Sequence, residues 1–312
     1  FRYASEFGFQ SFPSVKTLET VTDDPKELNP FSYVMEKHQR NYGGNGKIAK
    51  YMQAAYRYPE NFSDFVYASQ LLQADGIRYG VEHYRRNRGR CMGAIYWQLN
   101  DCWPVISWSS IDYYGRWKAL HYYAKRFFAP VMLSCEEQSW MTVEADMNRQ
   151  HFEFEKSIRL NVTNETLDAH RVLVKWAVRK TDATILREEE QWLEVPALSA
   201  VWMDKVELPQ IDCFNEYVSY EAWENDQIIS QGTVIFSYPK YFRYLNPGLT
   251  VRVDGDEIVV KAEAYAKSVE IRNENDDLIL EDNYFDMNAG EYRVKILDGK
   301  PDGLKVRSVY DI

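Results

Sequence analysis

The sequence predicts a multidomain chain in which strands and helices, ending near Pro130, give way to two β-sandwiches. Two observations predict it. Apolar residues recur at three-to-four spacing before Pro130, and period-two alternation replaces that pattern after it. The loop Leu245-Asn246-Pro247-Gly248 then divides the alternating region in two. The domains expected on this basis are residues 1–130, 131–243 and 244–312.

Within residues 46–87, Ile48, Tyr51, Met52 and Ala55 share one helical face, and Phe65, Ala68, Leu71, Leu72 and Ile77 continue the pattern. Trp117, Leu120, His121, Tyr123, Ala124 and Phe127 are spaced as a further packed helix. From about residue 140 to 240, short alternating segments such as 158–162 and 172–178 follow one another between turn residues, at the spacing of a sandwich. Segments 249–253, 257–261, 268–272 and 291–296 predict a second, smaller sandwich. There is no low-complexity stretch and no sequence repeat.

Composition narrows the function classes. Of 312 residues, 45% are apolar and 15% aromatic, enough for several packed cores. With 37 basic and 47 acidic residues the formal charge is -10, and no block of like charge forms a basic stripe, so neither nucleic acid nor an anionic membrane is an expected partner. No apolar run approaches the roughly 20 residues of a membrane span, which predicts a soluble protein. Cys91, Cys102, Cys135 and Cys213 lack metal-ligand spacing and are too sparse for a secreted disulfide scaffold, so they read as free thiols. That usage leans toward the cytoplasm, while three short Asn-X-Ser/Thr patterns at Asn61, Asn161 and Asn164 leave the compartment open. The chain opens on Phe1-Arg2-Tyr3 without an initiator Met, so any targeting segment is expected upstream and this start is not expected to be the natural one.

Two constellations in the first 130 residues suggest chemistry. In Phe1-Arg2-Tyr3-Ala4-Ser5-Glu6-Phe7-Gly8-Phe9, alternation puts the bulky Phe1, Tyr3, Phe7 and Phe9 on one face and Ala4, Glu6 and Gly8 on the other. A glutamate at the C-terminal end of a parallel strand sits where barrel enzymes hold their active sites, although such a residue also serves simply to cap the next loop. The second constellation is Met92-Gly93-Ala94-Ile95-Tyr96-Trp97-Gln98-Leu99-Asn100-Asp101-Cys102-Trp103-Pro104, an apolar run ending in polar residues and a proline, which predicts a strand buried on both faces. Trp97 offers a platform for the C–H face of a sugar ring, with Asn100 and Asp101 to orient hydroxyls; the alternative is that Trp97 is core and Asp101 caps a loop. His121 reads as structural, because no nucleophile is paired with it.

Ser5-Glu6-Phe7-Gly8-Phe9-Gln10-Ser11, the run from Gly93 to Pro104, and the stretch Ser107-Trp108-Ser109-Ser110-Ile111-Asp112-Tyr113-Tyr114-Gly115-Arg116-Trp117-Lys118-Ala119-Leu120-His121-Tyr122 together resemble the β-mannosidases of glycoside hydrolase family 2. His38-Gln39-Arg40, Gly44-Asn45 and Ile48 fit the same family. The resemblance implies the C-terminal end of a (β/α)8 TIM barrel followed by two immunoglobulin-like β-sandwich domains. It also implies a retaining glycosidase that releases terminal β-D-mannose from oligosaccharides, with two carboxylates about 5 to 5.5 Å apart. Glu6 matches the nucleophile and Trp97 an aromatic of the sugar subsite, with Asn100 and Asp101 at the same barrel mouth; no metal or organic cofactor is expected. The family's acid/base glutamate follows an asparagine, and the Asn-Glu pairs here, at Asn164, Asn215 and Asn273, all fall in expected sandwiches. A barrel takes roughly 250 residues and eight strands, whereas residues 1–130 offer two strand–helix units. The expected partner is therefore the missing N-terminal part of the same protein, and the 312-residue chain alone is expected to be inactive. Two alternatives remain: a sister family 2 β-galactosidase or exo-β-glucosaminidase, and a non-catalytic carbohydrate-binding or assembly module.

Overall fold

A computed structural model divides the chain into two compact units, and the described residues are 1–142 and 154–312. The beginning of the first expected sandwich, residues 143–153, lies outside them. One unit comprises Phe1–Tyr3, Val81–Gly93 and Arg126–Leu245, and the other Ala4–Gly80, Ala94–Lys125 and Asn246–Ile312.

The first unit is built on antiparallel sheets. One runs in the order Gln227–Ile235, Glu216–Glu224, His170–Lys180, Ile185–Val195. The other joins Val131–Gln138, Ser157–Asn164 and Ser199–Trp202, with Val206–Glu207 also paired to its middle strand. Alternation decides the inward side chains. Val172, Val174, Trp176 and Val178 meet Leu160, Val162, Val218, Tyr220 and Ala222 in one core, while Arg171, Lys175 and Arg179 point the other way. Each fully buried Val, Leu or Ile contributes about 1.5–3 kcal/mol. Asn161 and Asn164 are fully buried in this unit, and Asn164 donates to the carbonyls of Asp168 and Pro196, which removes two of the three glycosylation patterns; Asn61 is exposed.

The second unit carries the strands Ala4–Phe7 and Ala94–Tyr96, paired in parallel, and most of the helical chain. The stretch expected as helix over 46–87 is two helices, Gly44–Ala55 and Phe62–Arg86. Pro59 and the cap of Asn61, whose Oδ1 accepts from Asp64 N at 2.9 Å, account for the break. The helix expected around Leu120 is Ala119–Phe127. Residues 246–312 form two further antiparallel sheets in this unit, with Thr250–Asp254, Glu257–Ala262, Ala266–Arg272 and Gly290–Asp298 within one or two residues of the expected strands. No disulfide joins Cys91, Cys102, Cys135 or Cys213 among the described residues.

Candidate active site

The two parallel strands set the geometry. Ala4 lies opposite Ala94 and Phe7 opposite Tyr96, and Trp97 N donates to Phe7 O at 2.8 Å, so both strands finish at one edge of the sheet. Glu6 and Trp97 thus stand at neighbouring strand ends, Glu6 exposed and Trp97 48% exposed. Two glycines permit the close approach. A Cβ on Gly8 would fall 2.4 Å from Trp97 O and 3.0 Å from Trp108 Cδ1, and one on Gly80 would fall 2.8 Å from the Phe7 ring. Phe7 therefore rests on the long helix where that helix has no side chain, and Glu6 is exposed; the pairing register shifts between Ala4 and Phe7, so the strict alternation expected of this strand is interrupted.

The run 92–104 departs from its expectation. Only Ala94–Tyr96 is strand, and Met92, Ile95, Trp97 and Leu99 are about half exposed instead of buried on both faces. The sheet here has two strands, so one side of each stays open.

The segment that follows Trp97 is tied back on itself. Asp101 is 8% exposed; its Oδ1 accepts from Gln98 Nε2 at 3.0 Å and its Oδ2 from Ser107 Oγ at 2.9 Å. Both oxygens thus brace the loop, while Asn100 is exposed beside them and Gln98 Nε2 also reaches its carbonyl. Ser110 Oγ lies within hydrogen-bonding distance of the Tyr96 hydroxyl and of His121 Nδ1, and donates to Leu99 O. The His121 ring also packs edge-on to Trp117, and burial lowers its pKa, in keeping with a neutral, structural imidazole.

The chain after Glu6 is held from three sides by residues that periodicity alone did not single out. From the long helix, Gln73 Nε2 donates to Phe9 O at 2.7 Å and to Trp108 O at 3.0 Å, Gln73 Oε1 accepts from Ser11 Oγ at 2.7 Å, and Ser69 Oγ accepts from Phe12 N at 3.1 Å. From the segment before Gly44–Ala55, Gln39 Oε1 accepts from Gln10 Nε2 at 2.6 Å, and Gln39 Nε2 donates to Asn45 Oδ1 at 2.9 Å. Gly44 makes room for this, since a Cβ there would lie 2.6 Å from Gln39 Cδ. The third support is Lys118, 1% exposed, whose Nζ donates to Ser11 O at 3.3 Å and Ser107 O at 3.5 Å. Burial brings its pKa down to about 7, against the opposing pull of Asp101 and Asp112. One signal for these residues was present in the sequence: Ser69, Gln70 and Gln73 interrupt an apolar helix at positions that should face a core. No cluster able to hold a metal occurs among the described residues, and no helix among them is long and apolar enough to cross a membrane.

Comparison with known proteins adds the class. Residues 156–241 match the model of a mannosidase Ig/CBM-like domain, and residues 244–312 that of the Ig-fold domain of mannosidases, so the chain carries two Ig-like domains. It is 29% identical over 337 aligned positions to β-mannosidase B of Thermothelomyces thermophilus, covering 99% of this chain and 39% of that protein. It is 39% identical over 144 positions to β-mannosidase of Capra hircus, covering 42% of this chain and 16% of that one. The crystal structure of the β-D-mannosidase from Dictyoglomus thermophilum superposes with a TM-score of 0.83 at 25% identity, over 98% of this chain and 37% of that chain. An exo-chitosanase of Amycolatopsis orientalis shares the fold, with a TM-score of 0.66 at 16% identity, over 98% of this chain and 42% of that one. These matches place the chain with the C-terminal part of the β-mannosidases of glycoside hydrolase family 2. It spans about two fifths or less of the length of each of these relatives.

Proposed function

We propose that the chain supplies the nucleophile side of a retaining, exo-acting β-mannosidase. The observation that carries this reading is the placement of an exposed carboxylate, Glu6, beside an exposed indole, Trp97, at the ends of two neighbouring parallel strands. That edge is where a (β/α)8 barrel holds its active site, and residues 1–130 are read here as the last strand–helix units of such a barrel. Glu6 attacks the anomeric carbon of a terminal β-D-mannose as the bond to the leaving oxygen breaks, and a second carboxyl group, outside this chain, protonates that oxygen. Water activated by the same second group then cleaves the mannosyl ester and frees Glu6. Trp97 carries the apolar face of the sugar and Asn100 orients a hydroxyl, while Asp101 acts through the loop it braces.

The test is hydrolysis of matched aryl β-mannoside, β-galactoside and β-glucosaminide by the full-length protein and its Glu6→Gln variant. A kcat/KM preference for mannoside of about tenfold, or about 1.4 kcal/mol in the transition state, with activity lost in the variant, is the expected result. Preference for β-glucosaminide would move the site to a sister activity, and full activity in the variant would remove Glu6 from the mechanism. The 312-residue chain alone is expected to turn over none of the three.

A further inference from the structure

In the second unit, residues 246–312 and the long helix share a buried polar chain that leads to the segment following Glu6. Arg307, near the C-terminus, donates through Nε to Glu270 Oε2 and through Nη1 to Asp64 Oδ1 at 3.0 Å and Ser63 Oγ at 3.2 Å. The other oxygen of Glu270 accepts from the Tyr284 hydroxyl at 2.9 Å. That hydroxyl also lies 3.4 Å from Gln70 Oε1, which accepts from Ala119 N at 3.1 Å. Gln70 Nε2 donates to Phe12 O at 3.1 Å. Glu270, Tyr284 and Gln70 are all buried, between 4% and 7% exposed, so these bonds compete little with water. The Tyr284 pKa is held well above the usual phenol range by burial first and then by Glu270, which keeps the hydroxyl protonated and able to donate.

The chain of bonds fixes the amide of Gln70. With Oε1 taken by Ala119 N and facing the Tyr284 oxygen, whose one proton Glu270 and Gln70 share, the NH2 group is aimed at Phe12 O; Ser69 Oγ accepts from Phe12 N, and Gln73 holds Phe9 O earlier in the same segment. Five residues separate Phe12 from Glu6, and the intervening backbone has little slack because Gly8 is packed against Trp97 O and Trp108. We infer that the C-terminal Ig-like domain is a positioning element for the nucleophile, in which Tyr284, set by Glu270 and Arg307, acts through Gln70 on the Phe7–Phe12 segment. This rests on the assignment of Glu6 as nucleophile.

The experiment pairs Tyr284→Phe and Glu270→Gln in the full-length protein with Glu6→Gln as reference, and reads kcat and KM on an aryl β-mannoside together with hydrogen exchange of the peptide spanning residues 7–14. The expected result is a five- to tenfold fall in kcat with KM within twofold, measured well below the unfolding midpoint, and faster exchange in that peptide. Unchanged kcat and unchanged exchange in folded variants overturn the inference, as does a change confined to KM. If Tyr284→Phe does not fold, Glu270→Gln decides alone. If Glu6→Gln retains activity while exchange still quickens, the nucleophile assignment has failed and the coupling between the domain and the segment stands.

Discussion

Lys118 is a buried lysine whose Nζ donates to two carbonyl groups, and burial brings its pKa down to about 7. In the unfolded chain a lysine keeps its proton to about pH 10.4, so between pH 7 and that value the unfolded state binds more protons than the folded one. The contribution of Lys118 to stability therefore rises with pH across this window, by at most about 1.4 kcal/mol per unit, and it is a fixed penalty below it. Urea unfolding of wild type and Lys118→Met at pH 7, 8 and 9 should show the wild type gaining on the variant at each step; parallel lines would mean an ordinary lysine. Gly8 makes a second prediction at this scale. Gly8→Ala must displace the backbone at Trp97 O and also crowds the Trp108 ring, and the expected cost is about 1–3 kcal/mol, read as a lower unfolding midpoint, with loss of turnover in the full-length protein.

At the scale of elements, the long helix Phe62–Arg86 does two jobs. Its apolar residues Phe65, Ala68, Leu71, Ala74 and Ile77 are core, whereas Ser69, Gln70 and Gln73 reach backbone groups of the segment after Glu6. Gln73→Leu keeps the volume but strips a donor from Phe9 O and removes the acceptor of the buried Ser11 hydroxyl, while Trp108 O keeps its bond from Gln98 N. The variant should lose about 1–3 kcal/mol in urea unfolding, and a neutral result would show that these groups find other partners. The N-cap is a milder change: Asn61→Ala removes the bonds to Asp64 N and Asp64 Oδ2 and should cost about 1 kcal/mol.

At the scale of the whole molecule, the compact units cut across sequence order: residues 246–312 belong with Ala4–Gly80 and Ala94–Lys125, while the core of the first unit lies within residues 131–236. Ties such as Tyr67 OH to Ser268 O at 2.6 Å, Leu280 N to the Tyr122 hydroxyl at 3.4 Å and Arg307 to Asp64 hold the C-terminal domain to the helices. Deleting residues 246–312 should therefore expose Tyr67 and Tyr122 and unfold the site-bearing segment, leaving the core of residues 131–236 folded. Circular dichroism should show helix lost and strand kept, with aggregation; retention of the helical signal would show that the helices need no cover.

The sequence by itself determined where helix gives way to strand, because the 3.6 and 2.0 periods are written in positions such as Ile48 and Met52 or Val172 and Val174. It also determined which residues of the sandwich strands face a core. The two-sided burial expected of residues 92–104 was misleading, because an apolar run reports what a strand would bury in a full sheet and not how many neighbours this strand has. Only the tertiary structure decided that Asp101 spends both oxygens on its own loop, that Lys118 is buried among carbonyls, and that Tyr284, 278 residues after Glu6, joins the hydrogen bonds behind it. Such partnerships arise between distant segments, where no period or spacing couples the residues, and burial in a shared, water-poor interior is what makes their hydrogen bonds obligatory.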